Sequence, residues 1–386
     1  MHPIGAIIES HERGLTIFVG CKMGFLRILL ALSVVIAHSE PFFGFKLIGG
    51  DKAVELFFII SGFYMAMILN NKYTGAGSYK IFIQNRFLKI YPIYILSIVL
   101  IIGMSLASFI AFDSLGKLQI YNQYFDDINL FSFIFLVLSN ILIFGQDLVM
   151  FLGLDTSNGT LFFTEDFRTT TPMLFEFLLN PPAWSIAVEL TFYLIAPLIL
   201  RKSIKLILLI ALISFSIKFI VLADLTNDPW SYRFFPSELC YFLLGSLSYR
   251  ISTAFFDKID NKIKTKIGYT TLTFNIIYIS FYEYIDMSFS LFLILFAMSI
   301  PFIFFALKRS KLDRDIGELS YPIYILHYIM LMICNKLLSN SQFEYLTSEI
   351  VFFMSVLASI ICIKLLMTPL ETYRQKRASR LIIANA

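Results

Sequence analysis

The chain has 386 residues, of which 58% are hydrophobic and 15% charged, with 42 Phe and a formal net charge of +4; its mean hydropathy is +0.77. Apolar runs recur from one end to the other, so the sequence describes an all-α polytopic membrane protein with no room for a separate soluble domain. The modest positive charge sits in short loops and the tail, as on cytoplasmic membrane flanks, and argues against nucleic acid as a partner.

Residues 1–22 lack the basic start, apolar core and small-residue cleavage site of a secretory signal and read as an N-terminal extension, with Met23 an alternative start. Eleven apolar segments follow, at 23 to 43, 53 to 70, 91 to 112, 130 to 151, 183 to 200, 203 to 222, 235 to 251, 268 to 284, 288 to 307, 317 to 338 and 348 to 370. Together they fill one membrane domain over 23–374, and residues 375–386 form a basic cytoplasmic tail. Basic clusters fall at Lys72 to Lys89, Arg201 to Lys205, Arg250 to Lys266, Lys308 to Arg314 and Arg374 to Arg380, and positive-inside counting puts all five in the cytoplasm. Acid-leaning connections at 153 to 180 and 283 to 287 face outward. Between Lys89 inside and Asp155 outside an odd number of crossings is required, yet two segments lie there. Segment 130 to 151, with Asn140 in its middle, is chosen as the re-entrant or partial helix. About ten spans remain, with both termini inside.

Arg27 and His38 lie on one stripe of the first span, because at about 100° per residue the 11-residue step makes about three turns. A charged group at bilayer depth costs about 2.5–3.5 kcal/mol on insertion scales, so such groups mark a polar path or a reaction site. Arg27 also reads as a snorkelling helix-end cation, and His38 as a packed structural histidine. Residues 79 to 90 read as an interfacial helix carrying Arg86 and Lys89 on one face, suited either to anionic headgroups or to a phosphorylated cytosolic ligand. Glu55 and Glu189 both open inward-running spans. Ser61 and Gly62 read as small residues for close helix approach.

The four cysteines, Cys21, Cys240, Cys334 and Cys362, have no CxxC spacing and read as reduced thiols; no metal site is indicated.

Five motifs in order carry a resemblance. They are Arg27-x10-His38; Phe57-Phe58-Ile-Ile-Ser61-Gly62-Phe63; Arg86-Phe-Leu-Lys89-Ile-Tyr-Pro92; Trp184-Ser185-Ile-Ala-Val-Glu189; and Ser320-Tyr-Pro-Ile-Tyr324-Ile-Leu-His327. With these the chain resembles the acyltransferase family 3 membrane proteins, which O-acylate bacterial surface glycans, from about Met23 to Arg374. Lys89 stands where the family has a second arginine, which keeps the charge but loses the planar fork.

The resemblance implies an O-acyltransferase of the bacterial inner membrane that uses acyl-coenzyme A, most often acetyl-coenzyme A, as donor substrate, with no bound cofactor. Its partners would be that donor, membrane lipids, and a lipid-linked or exported glycan as acceptor. Arg86, Lys89 and Arg27 would hold the donor. His38 would be the general base, with Arg27 and Glu189 in the same catalytic set. Glu55, Trp184, Ser185, Tyr324 and His327 would bind the acceptor or support the site, Trp184 as an aromatic platform. A flippase for a lipid-linked saccharide, or an acyltransferase acting on a small molecule, are the competing readings.

Overall fold

In a computed structural model the described residues are 23–222, 224–225, 227–338 and 343–373. The N-terminal extension with Cys21, and the basic tail from Arg374, lie outside them. All eleven apolar segments contain helices: α1 (Gly24–Ala37), α2 (Gly50–Asn71), α3 (Ser78–Phe112), α4 (Leu130–Leu142), α5 (Trp184–Ile199), α6 (Ile204–Ser216), α7 (Phe235–Phe255), α8 (Asn261–Ser280), α9 (Phe289–Leu307), α10 (Lys311–Leu338) and α11 (Thr347–Cys362).

Among the described residues seven helical stretches, built on α2, α3, α5, α7, α9, α10 and α11, are long and apolar enough to cross a membrane. The others differ for visible reasons. α1 and α6 have 14 and 13 residues, and α6 runs on into a π-helical stretch, Ile217–Val221. α8 has 20 residues but starts with Asn261, Lys262, Lys264 and Lys266. At 1.5 Å per residue the 13 residues of α4 reach roughly 20 Å, short of a hydrocarbon core of about 30 Å.

Two expectations are corrected. Residues 79 to 90 are no separate interfacial helix: they are the first turns of the 35-residue α3, which continues through Pro92. Helix α4 stops at Leu142, so 130 to 151 is not one element, and an antiparallel hairpin, β1 (Leu152–Asp155) with β2 (Thr160–Phe163), adds a small sheet to the otherwise helical fold.

Helices approach closely where glycine removes a side chain. A Cβ on Gly62 of α2 would lie 1.8 Å from the Phe242 carbonyl oxygen of α7, and one on Gly245 of α7 would lie 1.9 Å from that of Ile59. Ser246 donates to the Gly62 carbonyl at 3.0 Å, tying the same crossing. The rings of Phe58, Phe242 and Phe192 stack in series at 4.4 and 4.2 Å, which adds α5 to this pair. Gly24 of α1 abuts the Asp313 carbonyl of α10, while the Asp313 side chain accepts from Phe25 N at 3.2 Å and so caps α1. Contacts such as Phe63 with Tyr249 show that α2 and α7 run parallel, as α1 and α10 do.

The non-helical stretch just before α5, 177–180, is buried, and side-chain amides bond its backbone and tie it to neighbouring helices. Asn140 of α4 donates to the Phe177 carbonyl at 3.0 Å and accepts from Leu179 N at 2.7 Å. Asn180 donates to Ser97 Oγ and to the Ile325 carbonyl, each at 3.1 Å. The short α4 therefore sets the position of Trp184 and Ser185 rather than adding a span-length helix.

Candidate active site

The bundle has two chemically different ends. Arg27 near the start of α1, Lys72 after α2, Arg86 and Lys89 of α3, and Arg201 after α5 share one end, where Arg201 donates to the Tyr73 carbonyl at 2.5 Å and to Ser78 at 3.1 Å. His38 after α1, Trp184 opening α5 and Arg233 before α7 lie at the other, because these helices run in the corresponding directions.

A cavity of about 350 Å³ runs between helices α2, α3, α5 and α10, within the size range of small-ligand sites. Arg27, Lys72, Arg86 and Lys89 line its cationic end, together with Glu318 and Glu371. Ser61, Glu189, Tyr193 and Tyr321 line its middle, and Ser185 and Tyr324 close it towards the far end. Arg27, Arg86 and Lys89, singled out in the sequence, are thus brought together. In the sequence Lys72 belongs to a topology-setting basic cluster, and its place at the mouth has no local signal.

Glu189 and Ser185 occupy successive turns of α5 and face the cavity together, as their four-residue spacing dictates. Ser61 donates to Glu189 Oε1 at 2.6 Å, and Tyr193 donates to the same oxygen. Ser61 is therefore more than a spacer: Gly62 alone makes the close helix contact. Glu189 makes no hydrogen bond to His38 among the described residues, so it does not orient that imidazole; it holds the cavity wall. The guanidinium of Arg86 lies 5.9 Å from the centre of the Tyr193 ring.

At the far end Ser185 and Tyr324 hydroxyls are 2.5 Å apart, and Tyr324 donates to the Pro182 carbonyl at 2.9 Å, which leaves Ser185 as donor to Tyr324. Rings continue the line beyond the cavity. Tyr324 and His327 have centroids 6.1 Å apart, and His327 and His38 5.1 Å apart. His38 Nδ1 lies 2.8 Å from the Val34 carbonyl and His327 Nδ1 2.7 Å from that of Tyr324. A carbonyl only accepts, so each Nδ1 carries a proton and each neutral ring has its lone pair on Nε2. His327 is fully buried, and its Nε2 has no hydrogen-bond partner among the described residues.

Two residues expected at the acceptor side are placed differently. Glu55 is absent from the cavity wall. It accepts from Lys218 at 2.7 Å, and the same ammonium donates to Glu238 at 2.7 Å and to the Ser231 carbonyl at 2.8 Å. This buried cluster ties α2, the end of α6 and α7, and a charge-separated cluster of this kind is the cost of joining them. Trp184 is only 6% exposed, with the Arg233 guanidinium 4.3 Å from its ring centre and the Tyr232 ring at 5.4 Å, so its face is covered by the protein.

A membrane-embedded helical bundle with a charged mouth, a carboxylate-lined cavity and paired imidazoles beyond it defines the class. The chain belongs to the acyltransferase 3 family, whose acyltransferase-domain model matches residues 23–368. A curated relative, protein 2 in the picA locus of Rhizobium radiobacter, is 38% identical over 76 residues, which are 19% of this chain and 40% of that protein. The similarity thus spans less than half of that relative. No solved structure matches the chain.

Proposed function

We propose that the protein transfers an acetyl group from acetyl-coenzyme A, taken from the cytoplasm, to a hydroxyl of a lipid-linked or exported surface polysaccharide in the bacterial inner membrane. The observation that carries this reading is the order of a four-cation mouth, a cavity and, beyond the cavity's far end, the His38–His327 pair. Phosphates of the donor pair with Arg86, Lys89, Lys72 and Arg27, and the slim thioester arm runs along Ser61 and Glu189 towards Ser185 and Tyr324.

His38 Nε2 is the base in this reading. It takes the acceptor's hydroxyl proton while the oxygen bonds to the thioester carbon; the carbon–sulfur bond then breaks, and the leaving thiolate takes the proton back from the imidazolium. His327, Tyr324 and Ser185 orient the reacting groups. In the same reading the chain crosses the membrane ten times with both termini inside, α4 being the helix that does not cross.

The test is mass spectrometry of surface glycans from cells with and without the protein. The reading expects an acetyl increment on one sugar that disappears on deletion and under His38→Ala. Identical glycan masses in all three strains would reject the polysaccharide acceptor.

A further inference from the structure

Arg233 was not singled out by any motif, yet it is the most constrained cation at the far end of the bundle. It is 8% exposed. Its Nε donates to Asp228 Oδ1, its Nη2 donates to Asp228 Oδ2 at 2.8 Å and to the Tyr232 hydroxyl at 2.6 Å, and its guanidinium stacks 4.3 Å from the Trp184 ring centre. The remaining nitrogen, Nη1, is buried with no hydrogen-bond partner among the described residues. Buried polar groups are almost always satisfied, so this donor is available to a water, an ion or a ligand group.

The cluster is also rich in cations. Arg168 donates to Asp228 Oδ2 at 2.6 Å, so two guanidiniums share that carboxylate, while the Asp166 carboxylate accepts from Arg168 N at 2.9 Å. The Arg168 side chain is 53% exposed, which opens the cluster to the surface. Asp228 lies in the connection before α7. Burial alone would raise its carboxyl, but the hydrogen bonds and charges of Arg233 and Arg168 more than offset this and hold it below the ordinary carboxylate range. The carboxylate therefore stays ionised at neutral pH as the shared acceptor of the two arginines.

The cluster also adjoins the reaction path. Trp184, beneath Arg233, is followed by Ser185, which bonds Tyr324, whose ring neighbours His327 and then His38. Arg233 lies within electrostatic reach of both His38 and Tyr324.

We propose that Arg233, with Arg168, is an acceptor-binding site for an anionic sugar, a carboxylate- or phosphate-bearing residue of the glycan, which it seats beside His38. The inference rests on the acyltransferase reading above and adds the charge of the substrate to it. A guanidinium offers paired donors that match a carboxylate or phosphate, and the covered tryptophan keeps it rigid.

The chain has two tryptophans, Trp184 and Trp230, and both border this cluster. Trp230 donates to the Glu165 carbonyl at 3.1 Å and packs its ring against Phe151. Their emission is therefore a direct reporter. The full chain in phosphatidylcholine nanodiscs would be titrated with an oligogalacturonate and with glucose 6-phosphate, each against its uncharged counterpart, and donor binding would be measured in parallel with acetyl-coenzyme A. The expected result is a saturable, salt-sensitive emission change with at least one charged sugar and a weaker or absent one with its neutral match. Arg233→Gln should weaken that binding about tenfold or more, and Arg168→Gln about two- to threefold, with donor binding kept in both.

Equal responses to charged and uncharged sugars would overturn the inference. Since Arg233→Gln can unfold the cluster, Arg168→Gln, at a half-exposed side chain, decides independently: unchanged affinity for the charged sugar in that variant also overturns it. The same emission change produced by phosphatidylglycerol nanodiscs without sugar would assign the site to a lipid headgroup instead. Loss of acetyl-coenzyme A binding in the wild-type chain would count against the acyltransferase reading, separately from this site.

Discussion

The two ends of the bundle handle charge in opposite ways. At the cavity mouth the partly exposed Arg27, Lys72, Arg86 and Lys89 stand together beside Glu318 and Glu371. At the far end Arg233, Asp228 and His327 are buried against rings and held by hydrogen bonds, and the exposed His38 ring lies 5.1 Å from that of His327. Partly exposed charges can attract and release an anionic ligand and are screened by salt. Buried groups are fixed in place and cost more to disturb. In the reading proposed above, this difference divides the labour: the mouth would set how much donor is bound and the far end what happens to it.

The largest expected effect is on catalysis at the far end. His38→Ala is expected to lower acyl transfer by about 10²–10⁴-fold, the usual loss for a positioned base, with acetyl-coenzyme A binding intact. His327→Ala should give a partial loss, read in the same assay. A deep loss of donor binding in His38→Ala would break the division between the two ends.

Stability comes next. Lys218→Ala leaves Glu55 and Glu238 buried without their shared cation, and is expected to destabilise the protein by about 3–5 kcal/mol, measured as reduced thermal stability in detergent. The charge-preserving Lys218→Arg should recover part of it. A stable Lys218→Ala protein would show that this end tolerates unpaired carboxylates and is wetter than its packing implies.

How much of this was legible follows the same division. The cavity residues Arg27, Arg86, Lys89, Ser185, Glu189 and Tyr324 stood in short motifs whose helical spacing already placed them on one face. The helices were readable because apolar runs have few alternatives in a bilayer. The pairing of Glu55 with Lys218 joins positions 163 residues apart, and neither residue carries a local mark of the other. Arg233 follows a connection with no motif, and its importance arises only when Asp228, Arg168 and Trp184 meet around it. Asn140 stands out as a polar residue in an apolar segment, but its partners Phe177 and Leu179 lie in a non-helical stretch that periodicity cannot register.

Smaller effects sharpen the account of the mouth. Arg86→Ala and Lys89→Ala should each raise the half-saturating donor concentration severalfold, less at high salt, with Lys72→Ala smaller still. Circular dichroism should show no loss of helix. Lys89→Arg should match or improve donor binding by adding a bidentate fork.

The smallest effect concerns pH. The Asp228 carboxyl titrates in the folded protein below its unfolded value of about 3.9, so its stabilising contribution is fully present above that value and is lost only as pH falls through the lower folded one. The stability difference between wild type and Asp228→Asn should therefore be constant from about pH 7 to 5 and shrink only in stronger acid, as read by thermal unfolding.

The most direct measurement is a titration of labelled acetyl-coenzyme A against membranes carrying the acceptor, following acetyl transfer in wild type, Arg86→Ala/Lys89→Ala and His38→Ala. The account predicts that the mouth variant regains near wild-type rates at high donor concentration, whereas His38→Ala stays inactive at every concentration. Near-normal transfer by His38→Ala at normal expression, or rescue of both variants by excess donor, would contradict it.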